Sequence, residues 1–372
     1  MAPTGRTKSP SDSAKSFPAG TLVITSGGSK AIEDIEVGEL VLTHRGRWRE
    51  VLRTQTATGN TVRIVGYGHF GLVTTPAQTF YSKRITTRYP GKDRATGKRP
   101  GWKRELVENP YWPEAVHLEG KLWATPRRID ALPVPVDIGA SVSDGLFYFI
   151  GRWLGDGTIN KGDVEICTGI PDFPNLERIL GREIPLLDSD GSPIPTRTRQ
   201  LPTTLSLVWG CAPLARWLCR NFGSDTYSKQ LPAWVYGLQM GWRSALLKGL
   251  MDSDGHFSGR RHELSSVSRA LATDVKVLAT TLGKSASLFW VKGRDGCIEG
   301  RSFSGADQYK VAWTQELKRT TSFSDSRHLF LPVRKVQPTG NIERVFNLQV
   351  RDDQSYVADG IVVRDVQEGA SQ

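Results

Sequence analysis

Two short segments of this chain carry residue types at a spacing that suits metal chemistry: Phe149-Ile-Gly-Arg-Trp-Leu-Gly-Asp-Gly157 and Leu247-Lys-Gly-Leu-Met-Asp-Ser-Asp-Gly255. Each is a largely apolar run with a small residue every fourth place, closing on Asp-Gly. In a helix, side chains three and four apart share a face, so Gly151 stacks with Gly155, and Gly249 with Ser253. A face of small residues lets a second helix come unusually close. Two such helices packed together would bring Asp156 and Asp254 to one point, and two carboxylates there suit a divalent cation.

The elements that must position these acids follow from the pattern around them. Ser143 or Asp144 is placed to cap the first helix. After it come strand-like Asp163–Thr168 and Thr204–Trp209, flanking an amphipathic stretch near Leu176–Ile184. After the second helix, strand-like His256–Ser265 and Ala286–Val291 flank a helix over Arg269–Leu282, and Tyr309–Thr314 adds a strand. The two motifs thus open two copies of one helix-and-strand repeat. Before them, Thr21–Thr25, Glu39–Thr43, Val62–Val65 and Gly71–Thr75 are short β-branched runs broken by glycines, the signature of an all-β unit. β character resumes near Lys121–Thr125, and a proline-rich link over Ala131–Asp137 leads to the first motif. From about Leu331 the chain is β-rich again.

With 372 residues there is room for two or more cores, and a formal net charge of +11 favours an acidic polymer as partner. No run approaches the ~20 apolar residues of a membrane span, and the start lacks a signal-peptide core. Cys167, Cys211, Cys219 and Cys297 have neither zinc nor disulfide spacing, and are expected to be reduced, mostly buried thiols of an intracellular protein. Residues 1–15 are polar and aperiodic, an expected disordered tail.

Between residues 83 and 104, nine cations stand against one acid, Asp93: Lys83, Arg84, Arg88, Lys92, Arg94, Lys98, Arg99, Lys103 and Arg104. Tyr89 and Trp102 are interleaved among them. A solvated loop would tolerate this composition, but a phosphate-tracking arm would require it.

The paired motif resembles the two signature helices of LAGLIDADG homing endonucleases of the intein type. The resemblance implies that Asp156 and Asp254, at the eighth position of each copy, are the catalytic acids, holding Mg²⁺ or Mn²⁺ with Gly155 and Ser253 beside them. The sixth position, not a metal ligand in that family, holds Leu154 in one copy and Asp252 in the other. Tyr227-Ser-Lys-Gln-Leu-Pro232 resembles the Lys-x-[Ile/Leu]-Pro segment that precedes the second motif, which implies Lys229 as the active-site cation. Lys310 is the candidate for its counterpart in the second half. His256, next to the second Asp-Gly, is more readily read as a structural or DNA-facing residue than as a base. The same resemblance implies a saddle of strands over double-stranded DNA, with Arg197, Arg199, Arg260, Arg261, Lys292 and Lys310 as candidate contacts and a long asymmetric target read by a monomer.

The flanks resemble a Hint (intein) domain. Ser16–Val23, Ile32–Val41 and Gly71–Phe80 look like its N-terminal blocks, continued by Trp112–Leu118; Val345–Val350 and Ser355–Val366 look like its C-terminal blocks. Splicing needs a nucleophile, proton shuttles and a cyclising asparagine. Against the family pattern, Ser16 stands for the usual cysteine, Gln78 for the Thr-x-x-His histidine, Asn347 and Gln354 for the Asp and His of a later block, and Arg364-Asp365-Val366 for the terminal His-Asn-nucleophile. Neither glutamine shuttles a proton, and valine accepts no acyl group. A methionine stands shortly before Ser16 and a short run follows Val366, so splicing is expected to be lost.

The expected fold is therefore α+β in two domains: a β-rich Hint fold split around a pseudo-two-fold nuclease of two αββαββα repeats. Residues 1–15 form a tail, 16–135 the N-terminal Hint part with a basic insertion at about 83–111, 136–330 the nuclease, 331–366 the C-terminal Hint part, and 367–372 a tail. The expected activity is site-specific cleavage of duplex DNA by an enzyme of a mobile genetic element, in the cytoplasm or nucleoid of a prokaryotic or phage-infected cell. A catalytically silent DNA-binding protein or RNA maturase on the same fold, and residual autocleavage beside Ser16 or Asp365, are the alternatives.

Overall fold

The computed structural model describes residues 15–89, 91, 103–135, 138–298, 301–314 and 322–365, with the backbone alone at 297–298 and 301–303. The described residues group into two compact units. One takes 15–25, 30–129 and 322–365; the other takes 26–29 and 130–314. The fold is mixed α and β, with five α-helices among the described residues. None of the described helices is long and apolar enough to cross a membrane.

The second unit carries the two motifs on helices α1 (Asp144–Asp156) and α4 (Met240–Ser253). Ser143 caps α1, its hydroxyl accepting from the Leu146 amide at 3.1 Å. After α1 come a hairpin of Gly157–Asn160 and Asp163–Gly169, then α2 (Phe173–Leu176) running on as a π-helix over Glu177–Glu183. Strands Thr196–Gln200 and Thr204–Trp209 and helix α3 (Ala212–Phe222) complete the copy. After α4 come strands Gly255–Ser258 and Arg261–Ser266, helix α5 (Arg269–Thr281), and strands Ser287–Val291 and Gln308–Thr314. In both copies the four strands lie antiparallel in the order first, second, fourth, third. Shared strand order is the structural form of the repeat seen in the motifs. The second copy adds a small hairpin, Gly296–Ile298 with Arg301–Phe303. Its seventh element would fall in residues 315–321, outside the described residues.

The other unit is β-rich. Its largest pairing joins Trp48–Gly66 to His328–Val350, segments from opposite ends of the sequence. The sequence pattern predicted only Val62–Val65 within the first of these. Most of 52–60 is polar and exposed, so it has no alternation to read; its strand state comes from the distant partner. The second contains Pro332, in register with Leu122, and Pro338 and Gly340, where a register shift between Pro338 and Ile342 takes up the irregularity as a bulge. The core gathers Phe17, Val23, Val41, Ile64, Phe80, Trp123, Leu348 and Tyr356. Phe17 meets Phe80 and Tyr356 edge-on, at 6.4 and 6.2 Å between ring centres.

Two expectations need adjusting. Cys167, Cys211 and Cys219 are free thiols, but each is half-buried: Cys167 lies on the strand Asp163–Gly169, Cys211 just before helix Ala212–Phe222 and Cys219 within it, while the side chain of Cys297 lies outside the described residues. The basic segment is a two-stranded hairpin, Ser82–Arg88 paired with Lys103–Tyr111. Lys92, Arg94, Lys98 and Arg99 lie outside the described residues, as do residues 1–14 and 366–372, which include Val366.

Candidate metal centre

Helices α1 and α4 meet at their small residues. A Cβ built on Gly151 would lie 2.7 Å from the Leu250 nitrogen and closer still to the Leu246 carbonyl. One on Gly249 would lie 2.9 Å from the Arg152 nitrogen. Backbone touches backbone here, and no side chain could be inserted without parting the helices. One turn on, a Cβ at Gly155 would sit 2.6 Å from Ser253 Cβ and 3.0 Å from Asp254 Oδ2. The ends of the two helices are thus clamped side by side, which places Asp254 against the last turn of α1 that ends in Asp156.

Electrostatics report the same proximity. Burial and then the nearby Asp156 carboxylate push Asp254 up to about 6, although one side of Asp254 stays open to solvent. Burial also raises Asp156, opposed by Arg152 and Lys229. Two crowded carboxylates that their neighbouring cations do not fully compensate fit a divalent cation. Among the described residues no group of three or more His, Cys, Asp or Glu side chains converges. The remaining donors would be backbone carbonyls, water and substrate phosphate, which is how Mg²⁺ is commonly held.

Lys229 is buried against the end of α1. Its ammonium donates to the carbonyls of Trp153 (2.9 Å), Gly157 (2.9 Å) and Gly155 (3.5 Å), and lies 4.9 Å from the Trp153 ring centre. Burial lowers its pKa to about 8, with Asp254 and Asp156 pulling the other way. All three of its carbonyl partners belong to the first motif.

The chain around Lys229 is tightly held. Gly223, at φ +92°, ends α3, and a Cβ there would meet Ser228 C at 2.6 Å and the Lys229 nitrogen at 3.0 Å. Only glycine lets the chain turn back so closely. Ser268, the cap of α5, donates its hydroxyl to the Lys229 carbonyl at 2.6 Å. Asp274, fully buried on α5, accepts from the Leu231 amide (2.9 Å), the Tyr236 hydroxyl (2.9 Å) and the Ser29 hydroxyl (2.5 Å), and burial pushes it up to about 7. Sequence reasoning missed Ser268 and Asp274, because a polar residue on a helix gives no sign of a partner dozens of positions away. It also passed over Arg152, a charge inside an apolar motif, which was a signal available to be read.

The other candidate cations divide into tied and untied groups. Arg197 pairs with Asp163, and Arg199 with Glu165 at 2.8 Å. Arg261 and Lys310 share Glu263 at 2.9 and 3.7 Å. Arg260, Lys292 and His256 are exposed. In the β-rich unit Lys83 is committed to Asp325 at 2.9 Å and lies over Phe330. Arg84 covers Tyr111 and Arg104 covers Phe323. Arg88 and Lys103 are exposed and directly opposite each other in the hairpin. Like charges opposed across a ladder destabilise it unless an anion lies between them.

The β-rich unit also gathers the residues at the splicing positions. The Ser16 carbonyl accepts from the hydroxyls of Thr74 (2.9 Å) and Thr75 (3.2 Å), and Asn347 Nδ2 donates to the Lys15 carbonyl. Gln78 Nε2 donates to the Arg364 carbonyl at 2.8 Å. Asp365 accepts from the Val350 amide at 2.8 Å and donates its own amide to the Gln354 carbonyl at 3.1 Å, and burial pushes its carboxyl up to about 6. No imidazole or thiol stands at any of these described positions.

Comparison with known proteins bears on the second motif first: residues 241–311 match the family model of the LAGLIDADG-like domain. The likeness to that family rests on this segment. It contains most of α4, Asp254 and the strands and helix that follow. Over most of its length the chain is similar to the ATP-dependent DNA helicase Hel308 of Thermococcus kodakarensis (24% identical, covering 92% of this chain and 35% of the helicase). It is also similar to a DNA polymerase of Thermococcus hydrothermalis (26% identical, 56% of this chain and 12% of the polymerase). The homothallic switching endonuclease of Saccharomyces cerevisiae is 21% identical over 83% of this chain and 56% of its own. The chain thus spans between about an eighth and just over half of the length of these relatives. Among solved structures, mesophilic variants of the homing endonuclease I-DmoI align over 48% of this chain and 85% of theirs, at 16% identity and a TM-score of 0.30.

Proposed function

We propose that this protein is a homing-type endonuclease that hydrolyses both strands of a specific DNA duplex with Mg²⁺ or Mn²⁺. The observation that carries the reading is the glycine-lined helix pair that sets Asp156 beside Asp254, with Lys229 anchored on the same turn. A divalent cation held by Asp156 and Asp254, with the Gly155 and Ser253 backbone beside them, supplies charge neutralisation at the phosphate and a more acidic water. The chain's own part is to hold the carboxylates rigidly, to keep Lys229 fixed beside them, and to present cations of the strand faces to the duplex. The two halves share strand order but not side chains, so a monomer would read a long asymmetric site.

In this reading 130–314 is the nuclease, and the β-rich unit descends from a Hint domain that no longer splices. In this reading the hydrogen bonds that Gln78, Asn347, Gln354, Arg364 and Asp365 make serve to hold the fold. The hairpin with Arg88 and Lys103 would grip DNA outside the nuclease footprint. Selection of cleaved sites from a randomised duplex library, with Mg²⁺ or Mn²⁺, tests the proposal. A recurrent cut sequence supports it, and a library left intact under both metals counts against it.

A further inference from the structure

Arg152 is the one charged side chain between the two ends of α1, and it is nine-tenths buried. A buried guanidinium has to be held by acceptors. Here it is held only in part. One terminal nitrogen donates to the Asp252 carbonyl, the other stands 3.5 Å from Asp156 Oδ2, and Nε has no partner among the described atoms. The Asp252 carboxylate is engaged elsewhere, by the Tyr148 hydroxyl at 2.9 Å and the Lys248 ammonium at 2.5 Å. So the charge of Arg152 is aimed at Asp156 and not neutralised by Asp252.

Arg152 also lines a cleft of about 540 Å³, together with Asp156, Tyr148, Arg178, Lys248 and Asp252. Lys229 does not line it; its ammonium is enclosed by the carbonyls of residues 153, 155 and 157. Two cations therefore reach the acid pair by different routes, one through packed backbone and one through an open cleft. A planar guanidinium with spare donors suits a phosphate better than an ammonium does. A duplex offers two scissile phosphates.

We propose that Arg152 is a second active-site cation, binding the scissile phosphate that enters this cleft, while Lys229 serves the other strand. The inference rests on the endonuclease reading. In the step it assists, a water oxygen bonds to phosphorus and the bond to the leaving sugar oxygen breaks. One water proton leaves to solvent, the sugar oxygen takes one up, and Arg152 keeps its protons throughout.

The test uses the full chain and its selected duplex with each strand labelled separately, under single-turnover conditions. Arg152→Met is expected to slow cleavage of one strand on the order of 10²-fold, as for loss of one preorganised donor, with the other strand within a few-fold of its original rate. Lys229→Met is expected to show the opposite strand bias, and Arg152→Lys an intermediate rate on the strand that Arg152→Met slows. Equal slowing of both strands, or none, overturns the assignment.

A second readout needs no cleavage: Mn²⁺ titration of the DNA-free protein. Removing a cation that faces Asp156 should tighten Mn²⁺ several-fold in Arg152→Met and leave Arg152→Lys near the original. Unchanged or weaker binding in Arg152→Met marks a merely structural residue and overturns the proposal. If the original protein cuts no duplex, the endonuclease reading fails, and the Mn²⁺ titration still judges Arg152.

Discussion

Gly151→Ala adds one methyl group where α1 and α4 touch backbone to backbone. The new carbon would start 2.7 Å from the Leu250 nitrogen and closer to the Leu246 carbonyl. Carbon contacts are comfortable at about 3.5–4.0 Å, so the helices must part by roughly 1 Å. Neither offending atom belongs to a flexible side chain that could swing aside. Alanine is the better helix former by about 1 kcal/mol, which offsets part of an overpacking cost that is typically 1–3 kcal/mol and occasionally more. Because both contacts are backbone, the upper end applies, and a net loss of about 2 kcal/mol is expected. At 2–4 °C per kcal/mol for a domain of this size, Tm should fall by roughly 4–8 °C. The functional effect should be larger than the stability effect. A displacement of about 1 Å at a catalytic pair costs on the order of 10²-fold in rate, so cleavage well below Tm should fall by that factor while duplex binding persists. Gly155→Ala gives an internal control. Its clash is chiefly with Ser253 Oγ and Cβ, so the double variant Gly155→Ala, Ser253→Gly should recover stability that Gly155→Ala loses. Calorimetry with single-turnover cleavage decides the matter. A Gly151→Ala protein with unchanged or raised Tm and full activity would refute the close-packed helix pair as the device that sets the acids.

Other perturbations have defined outcomes. Lys229→Met leaves three carbonyls without their donor, and double-strand cleavage should drop on the order of 10²-fold with a stability loss of about 1–3 kcal/mol; an unchanged single-turnover rate contradicts the role given to the ammonium. Asp274 is held above its unfolded pKa, at about 7, so its contribution to stability is complete below the ordinary carboxylate pKa and is lost as pH rises through 7. Asp274→Asn should therefore flatten the fall in Tm between pH 5 and about pH 8, and an undiminished slope in the melting series speaks against a buried carboxyl there. Replacing Arg88 and Lys103 together with alanine should weaken duplex binding and reduce the slope of log K against log salt by about 2; the same slope in a salt series removes the hairpin from the DNA interface.

How far the sequence could be read depended on whether the signal was local. The α1–α4 pair was legible because Gly151, Gly155, Gly249 and Ser253 recur at helical spacing, and an Asp-Gly step after each run marks where the helix ends. The repeat was legible in part: Asp163–Thr168 and Thr204–Trp209 read as strands in the first copy, whereas their partners Gly157–Asn160 and Thr196–Gln200, short and polar, did not. The pairing of Trp48–Gly66 with His328–Val350 was not, because polar residues such as Thr54, Thr56 and Thr58 take their strand conformation from a partner across the chain. The support of Lys229 was equally hidden. Ser268 and Asp274 act through the Lys229 carbonyl and the Leu231 amide, and backbone groups leave no mark on a sequence. Lys83 shows another limit: its charge stands out in the sequence, and its ion pair with Asp325 and its place over Phe330 do not. Composition counts a cation without telling whether it is already paired.

The central claim is that Asp156 and Asp254 together form a metal-dependent cutting centre. Its most direct test incubates the original protein, Asp156→Asn and Asp254→Asn with the selected duplex in Mg²⁺, measuring cleavage and binding in the same samples. The expected result is cutting by the original protein and none by either variant, with binding retained by all three. Full cutting by either variant would contradict the account.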